Sequence, residues 1–200
     1  MEIVTTADVN DPRMQRSRAA LLDAATDLLD TQAVADISIT KLVEHAGVTR
    51  PTFYQHFPDI PGIARAAALR RLAAASPIPA PIPIADLTRQ QLHDLIAAQF
   101  LPDLEHLAAH RDFYLRVLDG ASDLHLLGAL VTLSLERTTL ETFEHVTREQ
   151  GTSAHDLMTL IAGGVTWLII TWLRDSNQPP THLAVRIAAA ITSAIGTQNS

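Results

Sequence analysis

A short polar segment, residues 50–56, carries side chains well suited to recognising another molecule. Arginine can donate two parallel hydrogen bonds, and threonine, tyrosine, glutamine and histidine add further donors and acceptors. This mixture suits phosphate oxygens and the edges of nucleic-acid bases. The polar side chains of the segment are Arg50, Thr52, Tyr54, Gln55 and His56.

The residues around this segment predict two short helices joined by a tight turn. Ser38 is placed to cap the first helix and Gly47 to end it, because glycine adopts a positive φ without steric cost. Thr49 can cap the second helix, and Pro51 in its first turn has no N–H to satisfy. A helix-turn-helix of this kind places its second helix in the major groove of DNA. The alternative, a hairpin with a solvated polar face, is disfavoured by the expected exposure of Tyr54.

An amphipathic helix precedes the motif and is predicted to pack behind it. Apolar side chains between residues 21 and 29 recur at spacings of three and four. On the second helix of the motif, Phe53 and Phe57 share one face and would anchor it to this support. A basic cluster at residues 13–18 can reach a DNA backbone, or it can be a solvated helix start.

Residues 14–74 resemble the DNA-binding domain of the tetracycline-repressor (TetR) family. The resemblance rests on Ala-Gly-Val-Thr-Arg-Pro-Thr-Phe-Tyr-Gln-His-Phe at 46–57 and on Leu-Leu-Asp-Ala-Ala-Thr-Asp-Leu-Leu at 21–29. It implies an all-α homodimer with an N-terminal three-helix helix-turn-helix domain and a variable C-terminal helical domain for ligand binding and dimerisation, about nine helices altogether.

Two positions depart from the family pattern. Pro51 stands where members often have glycine, and Ile60 stands where a lysine is usual at the start of the fourth helix. Pro61 and Gly62 are also expected to weaken the start of that helix.

The motif predicts a division of roles among its polar residues. Arg50, Tyr54 and Gln55 would contact bases, whereas the hydroxyl groups and His56 would contact phosphates. Two copies of the second helix about 34–36 Å apart would enter successive major grooves of a near-palindromic operator in double-stranded DNA. The residues predicted to bind DNA are Ser38, Thr40, Lys41, Arg50, Pro51, Thr52, Tyr54, Gln55 and His56.

Charge is distributed unevenly along the chain, whose net charge is −7. Residues 12–74 hold eight Lys or Arg against six Asp or Glu and are therefore +2. Residues 1–11 contribute −3, and residues 75–200, with seven basic against thirteen acidic side chains, contribute −6. Because DNA affinity depends on positive charge close to the phosphates, the negative total does not exclude DNA binding.

Composition also limits the cellular setting and the available chemistry. Cysteine is absent, which excludes disulfides, thiolate nucleophiles and cysteine-bound zinc. The first residues are acidic and polar, without the apolar region of a signal peptide. The longest apolar stretch, 157–173, is expected to be too short to cross a membrane. We therefore expect a cytoplasmic protein with no membrane partner.

Composition shifts predict four segments. Alternating proline at 76–85 forbids a helix and favours a stiff, extended linker. The linker separates a helix-turn-helix DNA-binding domain at 13–75, preceded by a disordered tail at 1–12, from a ligand-binding and dimerisation domain at 86–200. The helices predicted in the second domain are 87–101, ending at Pro102, then a short piece to His110, 112–118, closed by Asp119-Gly120, and finally 122–150, 153–174 and 179–195.

The helix predicted at 153–174 is apolar nearly all round and must be buried on two faces. One face can pack on its own domain, whereas the other needs a partner. The last helix has apolar residues at matching spacing, so a four-helix interface between two copies is predicted, as the family resemblance also implies. A last helix that only completes a monomeric core is the alternative. The predicted interface residues are Leu157, Ile161, Gly164, Leu168, Leu183, Ile187, Ala190, Ile191 and Ala194.

The central helices combine aromatic and apolar side chains with few polar groups, which is typical of small-molecule sites. The family resemblance implies that a small-molecule inducer binds there and shifts the fourth helix. Ordinary core packing is the alternative for each residue. The predicted ligand-binding residues are Phe100, Leu104, His106, Phe113, Tyr114, Val117 and Trp167.

Motifs for other chemistry are weak in this chain. His106 and His110 have the spacing of a helical metal-binding pair, but no third ligand is evident, so no metal and no cofactor is predicted. G-x-S-x-G, Walker and GxGxxG motifs are absent, and no catalytic residue and no enzyme activity is predicted. The sequence thus predicts a ligand-responsive DNA-binding repressor. The alternative is a helical small-molecule-binding or catalytic protein whose helix-turn-helix no longer binds DNA.

Overall fold

The computed structural model describes residues 11–75, 87–121, 124–136, 153–175 and 177–195. These residues form nine α-helices and one short 3-10 helix, without a strand, which confirms the predicted all-α fold. The predicted linker at 76–85 and much of the helix predicted at 122–150 lie outside the described residues. The helices are α1 Pro12–Leu29, α2 Ile39–Ala46, α3 Arg50–His56, α4 Ile60–Ala75, α5 Arg89–Ala109, α6 Arg111–Ala121, α7 Leu124–Glu136, α8 Ala154–Asp175 and α9 Pro180–Ile195, with the 3-10 helix at Val34–Asp36.

The chain divides into two compact units. The first comprises Met1–Arg70 and Asp112–Ser122, and the second comprises Arg71–Arg111 and Asp123–Ser200. Helix α6 therefore groups with the N-terminal helices, although the sequence boundaries assign all of 86–200 to one domain. The first helix also begins earlier than the predicted end of the disordered tail, because Asp11 caps α1 at Pro12.

The core of the first unit forms where α1 packs against α2 and α3. The predicted apolar face of α1 is buried, and Leu42 of α2 and Phe53 of α3 are fully buried with it. Each such side chain contributes about 1.5–3 kcal/mol relative to an exposed one. The buried residues of α1 are Leu21, Leu22, Ala24, Ala25, Leu28 and Leu29.

Helix α6 is held to the first unit by polar and steric contacts. Arg116 Nη1 donates to the carbonyl oxygens of Leu29 (3.1 Å) and Asp30 (2.9 Å) at the end of α1, where the last carbonyls of a helix have no partner within the helix. A Cβ on Gly120 would lie 2.5 Å from Val34 Cβ. The sequence predicted that Asp119-Gly120 ends this helix, and that is wrong. Gly120 is a helical residue that permits close approach to Val34.

The prediction that α5 ends at Pro102 is also wrong, since the helix continues to Ala109. Pro102 removes one backbone hydrogen bond, but it lies on the exposed side of the helix, as does Ala98, whose carbonyl loses its donor. Water can pair with that carbonyl. At its start α5 has a capping box between Thr88 and Gln91, which stabilises the long helix.

Helix α8 is, among the described residues, the one helix long and apolar enough to cross a membrane by length and composition. The expectation that the apolar stretch at 157–173 is too short to cross a membrane is therefore not supported by the length of α8. The core helix of a soluble protein can have the same length and composition. Here α8 packs against α7, α9 and α5.

We expect Gly120→Ala to lower the free energy of unfolding by about 1–3 kcal/mol, because the new Cβ would overlap Val34. Gly128→Ala on α7 is the matched control, since a Cβ there meets none of the described residues within 4 Å. The control should gain up to about 1 kcal/mol from improved helix propensity. Urea unfolding measures both, and a Gly120→Ala protein as stable as the parent would contradict the close contact.

Candidate nucleic-acid interface

The α2–α3 motif is built by the capping residues that the sequence predicted. Ser38 Oγ accepts the Lys41 N–H at 3.2 Å at the start of α2. Gly47 ends α2 with φ +65°, a left-handed conformation that favours glycine. Thr49 caps α3, its hydroxyl oxygen accepting the Thr52 N–H at 3.4 Å. The predicted helix-turn-helix is confirmed.

The two faces of α3 have opposite environments. Phe53 is fully buried and Phe57 is 6% exposed, so both phenylalanines anchor the helix as predicted. The Tyr54 ring stands edge-on to Phe53, with centroids 5.3 Å apart, and remains 58% exposed. Its orientation is thus fixed by a buried neighbour while its hydroxyl faces solvent. The exposed side chains of α3 are Arg50, Pro51, Tyr54 and Gln55.

His56 joins α3 to α1 in addition to lying beside the recognition face. Its Nε2 lies 2.8 Å from Ser17 Oγ, a hydrogen bond between residues 39 positions apart. The Arg18 guanidinium lies 5.5 Å from the centre of the Phe57 ring, a second link between the same elements. Burial lowers the pKa of His56, and the nearby Arg18 charge lowers it further. The Ser17 contact could not be predicted from the sequence, because it depends on the packing of α3 against α1.

The remaining predicted DNA-binding residues lie mostly at the surface. Ser38, Thr40 and Lys41 are exposed on α2, and Thr52 is half-buried. Lys41 Nζ donates to Gln32 Oε1 at 2.6 Å, which links the start of α2 to the connection that follows α1.

The start of α4 is better stabilised than the sequence suggested. The Gly62 N–H donates to Asp59 Oδ1 at 2.7 Å, so Asp59 caps a helix that begins at Ile60. Pro61 in the first turn has no N–H to satisfy. A Cβ at position 62 would lie only 3.0 Å from Asp59 Oδ1. The absence of a side chain on Gly62 therefore leaves room for the capping carboxylate. The expected weak helix start is therefore wrong.

Residues 21–71, which include this motif, match the family model described as bacterial regulatory proteins, tetR family. This segment of the chain is therefore similar to the DNA-binding domain of the TetR family. The HTH-type transcriptional regulator EthR of Mycolicibacterium smegmatis is 39% identical over 65 residues, which cover 28% of this chain and 30% of that protein. The match to this relative thus spans less than a third of its length.

Solved TetR-family structures extend the likeness of fold beyond the motif. AlkX, a TetR-family repressor from Dietzia sp., has a TM-score of 0.52 at 19% identity, covering 89% of this chain and 94% of its own. A TetR-family regulator from Streptomyces coelicolor also has a TM-score of 0.52, at 16% identity, covering 91% of this chain and 84% of its own. At these identities the likeness shows the fold alone.

The predicted ligand-binding residues divide between the two units. Phe113, Tyr114 and Val117 are buried on α6 in the first unit, whereas the remaining four lie on α5 and α8 in the second. Trp167 is 60% exposed on α8, so it does not line the interior of the second unit as predicted. The other members are Phe100 and His106, which are half-buried, and Leu104, which is fully buried.

The His106 and His110 rings lie side by side, with centroids 4.4 Å apart and planes tilted by 33°. His110 Nδ1 donates to the His106 carbonyl oxygen at 2.9 Å. Burial lowers the pKa of His106, and the charges of His110 and Arg71 lower it further. Across the described ranges, no group of three or more potential metal ligands accompanies the pair.

The predicted dimer residues on α9 require a correction. Leu183 and Ile187 are fully buried and Ile191 is 8% exposed, because this face of α9 belongs to the core of the second unit, where the helix packs along α5. A face buried within one chain is not available to a second copy. Ala190 and Ala194 are the predicted α9 residues that remain exposed.

Helix α8 has an exposed apolar face, and the predicted interface residues include only part of it. Leu160 is 73% exposed, and it forms an outward stripe with Gly164 and Trp167 at helical spacing. We call these three residues the α8 stripe. The other predicted interface residues on this helix, Leu157, Ile161 and Leu168, are half-buried beside it. Periodicity could not show which apolar face lies outward, because both faces have similar composition.

A cleft of about 270 Å³ in the second unit contains none of the predicted ligand-binding residues. Arg111 Nη2 donates to the Arg174 carbonyl oxygen at 3.3 Å, and Trp172 Nε1 donates to the Gln178 carbonyl oxygen at 2.9 Å. These donors therefore stabilise the connection between α8 and α9.

We expect the free energy of unfolding to fall as the pH drops below 6.5, the ordinary pKa of histidine, in part through His56. Because the folded-state pKa of His56 is lowered, the unfolded chain binds the proton more readily, and the stabilising contribution is complete only above that pH. His56→Gln should reduce the slope of the free energy of unfolding against pH, by an amount that corresponds to less than one bound proton. Urea unfolding between pH 5 and 8 measures the slopes, and His182→Gln, at an exposed position, is the matched control. Identical slopes for parent and His56→Gln would contradict the assignment.

Proposed function

We propose that this protein is a transcriptional repressor that binds a near-palindromic operator as a homodimer and is released by a small apolar ligand. The observation that carries the proposal is the outer face of α3, whose polar side chains are exposed above two buried phenylalanines. The relative in M. smegmatis, named as an HTH-type transcriptional regulator, supports the same class of function.

In the proposed complex, α3 enters the major groove of the operator. Arg50 can bind a guanine through two hydrogen bonds, and Gln55 can pair with an adenine in the same manner. Tyr54 adds an aromatic surface whose orientation is fixed by Phe53. The hydroxyl groups of Ser38, Thr40 and Thr52, together with Lys41 and His56, would bind phosphates, and Pro51 would contact a base.

The proposed dimer uses the α8 stripe as its centre. No charged side chain occurs between residues 157 and 173, so the stripe meets a second copy of itself without burying a charge. Exposed apolar side chains in a contiguous patch favour such association. A two-fold axis through this face pairs identical surfaces, and the exposed alanines of α9, Ala190 and Ala194, would lie at its rim.

We further propose that the protein acts in the cytoplasm, where its operator and ligand are available, and that it catalyses no reaction. One observation favours the alternative of a helical protein that has lost DNA affinity. Ile60 replaces the lysine usual in the family, and the neighbouring Asp59 places a negative charge at the same helix start. Gel shifts at low salt on DNA flanking the gene separate the two functions, because absence of binding would support the alternative.

Arg50→Ala should lower discrimination between the operator and a site with one altered guanine by about 1–3 kcal/mol, since one bidentate contact is lost. Fluorescence anisotropy with both DNAs at fixed salt measures the difference. Arg89→Ala is the control, because Arg89 is exposed in the second unit and its loss removes the same charge. Unchanged discrimination in Arg50→Ala would contradict the base contact.

Trp167→Glu should convert the dimer to a monomer at micromolar concentration, because it places a charge within the α8 stripe. Light scattering coupled to gel filtration measures the mass. Thr159→Glu is the matched control, since Thr159 is exposed on α8 outside the stripe. A monomeric mass for the parent protein would contradict the proposed dimer.

A further inference from the structure

The end of α3 is tied to α1 by two hydrogen bonds that meet at Ser17. The Ser17 hydroxyl group donates to the Met14 carbonyl oxygen at 3.0 Å. The same hydroxyl oxygen lies 2.8 Å from His56 Nε2. Because a serine hydroxyl has one proton, and that proton is directed at Met14, the contact with His56 needs a proton on Nε2. His56 Nε2 is therefore the donor in this contact.

This arrangement leaves the second ring nitrogen of His56 without a proton when the ring is neutral. A neutral imidazole carries one N–H and one lone pair, so a proton on Nε2 leaves a lone pair on Nδ1. Nδ1 makes no hydrogen bond to any residue that the structure describes. A protonated ring keeps the bond to Ser17 and gains an N–H at Nδ1. The two charge states of His56 thus share one orientation and differ in what Nδ1 offers.

His56 lies on the flank of α3, next to the exposed recognition face. Thr52, four residues earlier, shares this flank, and both side chains are half-buried. When a recognition helix lies in the major groove, its central side chains contact bases and its flanks lie nearest the sugar-phosphate backbone. A phosphate oxygen accepts hydrogen bonds and has no proton to donate, so the lone pair on Nδ1 cannot bind it. Only the protonated ring can donate from Nδ1 to a phosphate.

The charges around His56 favour the neutral ring in the absence of DNA. Charged or titratable side chains on the first two turns of α1, on α2 and at the start of α4 are Arg13, Arg16, Arg18, Lys41, Glu44, His45 and Asp59. Of these, Arg18 is the one that acts on His56, and its charge adds to burial in lowering the pKa of the ring. A bound phosphate reverses this balance, because a negative charge beside the ring favours its protonated form.

We propose that Ser17 is a positioning residue that holds His56 with Nε2 as the inner donor, so that contact with an operator phosphate requires uptake of a proton from solvent at Nδ1. Operator binding and proton uptake then strengthen each other. A rise in pH weakens operator binding, and a fall in pH strengthens it until His56 is already protonated in the free protein. This inference rests on the proposed function, since it names a form of regulation that acts on the same interface.

The first test uses the full chain without DNA. Nitrogen-15 NMR of the histidine side chains at pH 8 should place the proton of neutral His56 on Nε2, and loss of the signal in His56→Gln assigns it. A proton on Nδ1 would overturn the inference, because a neutral ring could then donate to a phosphate without proton uptake.

The second test measures operator affinity against pH, with a DNA duplex that the parent protein selects from random sequences. Fluorescence anisotropy at fixed salt should show binding that is about tenfold tighter per protomer at pH 6.5 than at pH 8, the effect of one bound proton in this range. Calorimetry at pH 7.5 in two buffers of different ionisation enthalpy measures the proton uptake directly. His56→Gln should bind with little dependence on pH, since its amide donates at every pH.

Ser17→Ala tests the positioning role. Without the hydroxyl group, the His56 ring can turn and present its N–H to the phosphate, so proton uptake on binding should fall below that of the parent. Ser17→Thr keeps a hydroxyl group and should restore the uptake. His45→Gln is the matched control, because it removes another histidine of the motif, one that lies 3.3 Å from Asp27, and it should keep the pH dependence of the parent.

Three results would overturn the inference. They are equal proton uptake in the parent and His56→Gln, equal uptake in the parent and Ser17→Ala, and equal affinity of the parent at pH 6.5 and pH 8. Each of them would leave the proposed repressor standing, because the operator is still bound. Failure to bind any selected duplex at pH 6.5 and low salt would instead refute the DNA-binding function, and the proton linkage with it.

Discussion

The burial of Phe53 and Phe57 against α1 is the constraint on which the recognition surface depends. A seven-residue helix is too short to be stable alone, so α3 exists only because its inner face is buried. The His56–Ser17 hydrogen bond and the Arg18–Phe57 contact fix its orientation from the side. The outward direction of Arg50, Tyr54 and Gln55 is thus a consequence of what lies beneath them.

Features governed by local rules could be predicted from the sequence. The caps at Ser38 and Thr49 and the left-handed turn at Gly47 each depend on a few neighbouring residues, and all three are present. The apolar face of α1 was equally clear, because its spacing matches one side of a helix. These features suffice to define the helix-turn-helix and the surface that it exposes.

Features governed by distant partners could not be predicted in the same way. Gly120 was interpreted as a helix end, but its role is set by Val34, which lies far away in sequence. Pro102 does not end α5, because the exposed carbonyl it leaves unpaired can bind water and the rest of the helix is held by packing along α9. The buried side of α9 and the exposed side of α8 both carry apolar residues, so composition alone did not distinguish core from surface.

The attachment of α6 has a consequence for how the N-terminal part of this protein can be isolated. A fragment truncated after Ala75 would contain the complete helix-turn-helix but would lack Arg116, leaving the last carbonyls of α1 to solvent, and would uncover Val34. The first unit is therefore built from two separate segments of the sequence, so a helix-turn-helix fragment expressed alone would need α6 supplied by fusion or as a separate peptide.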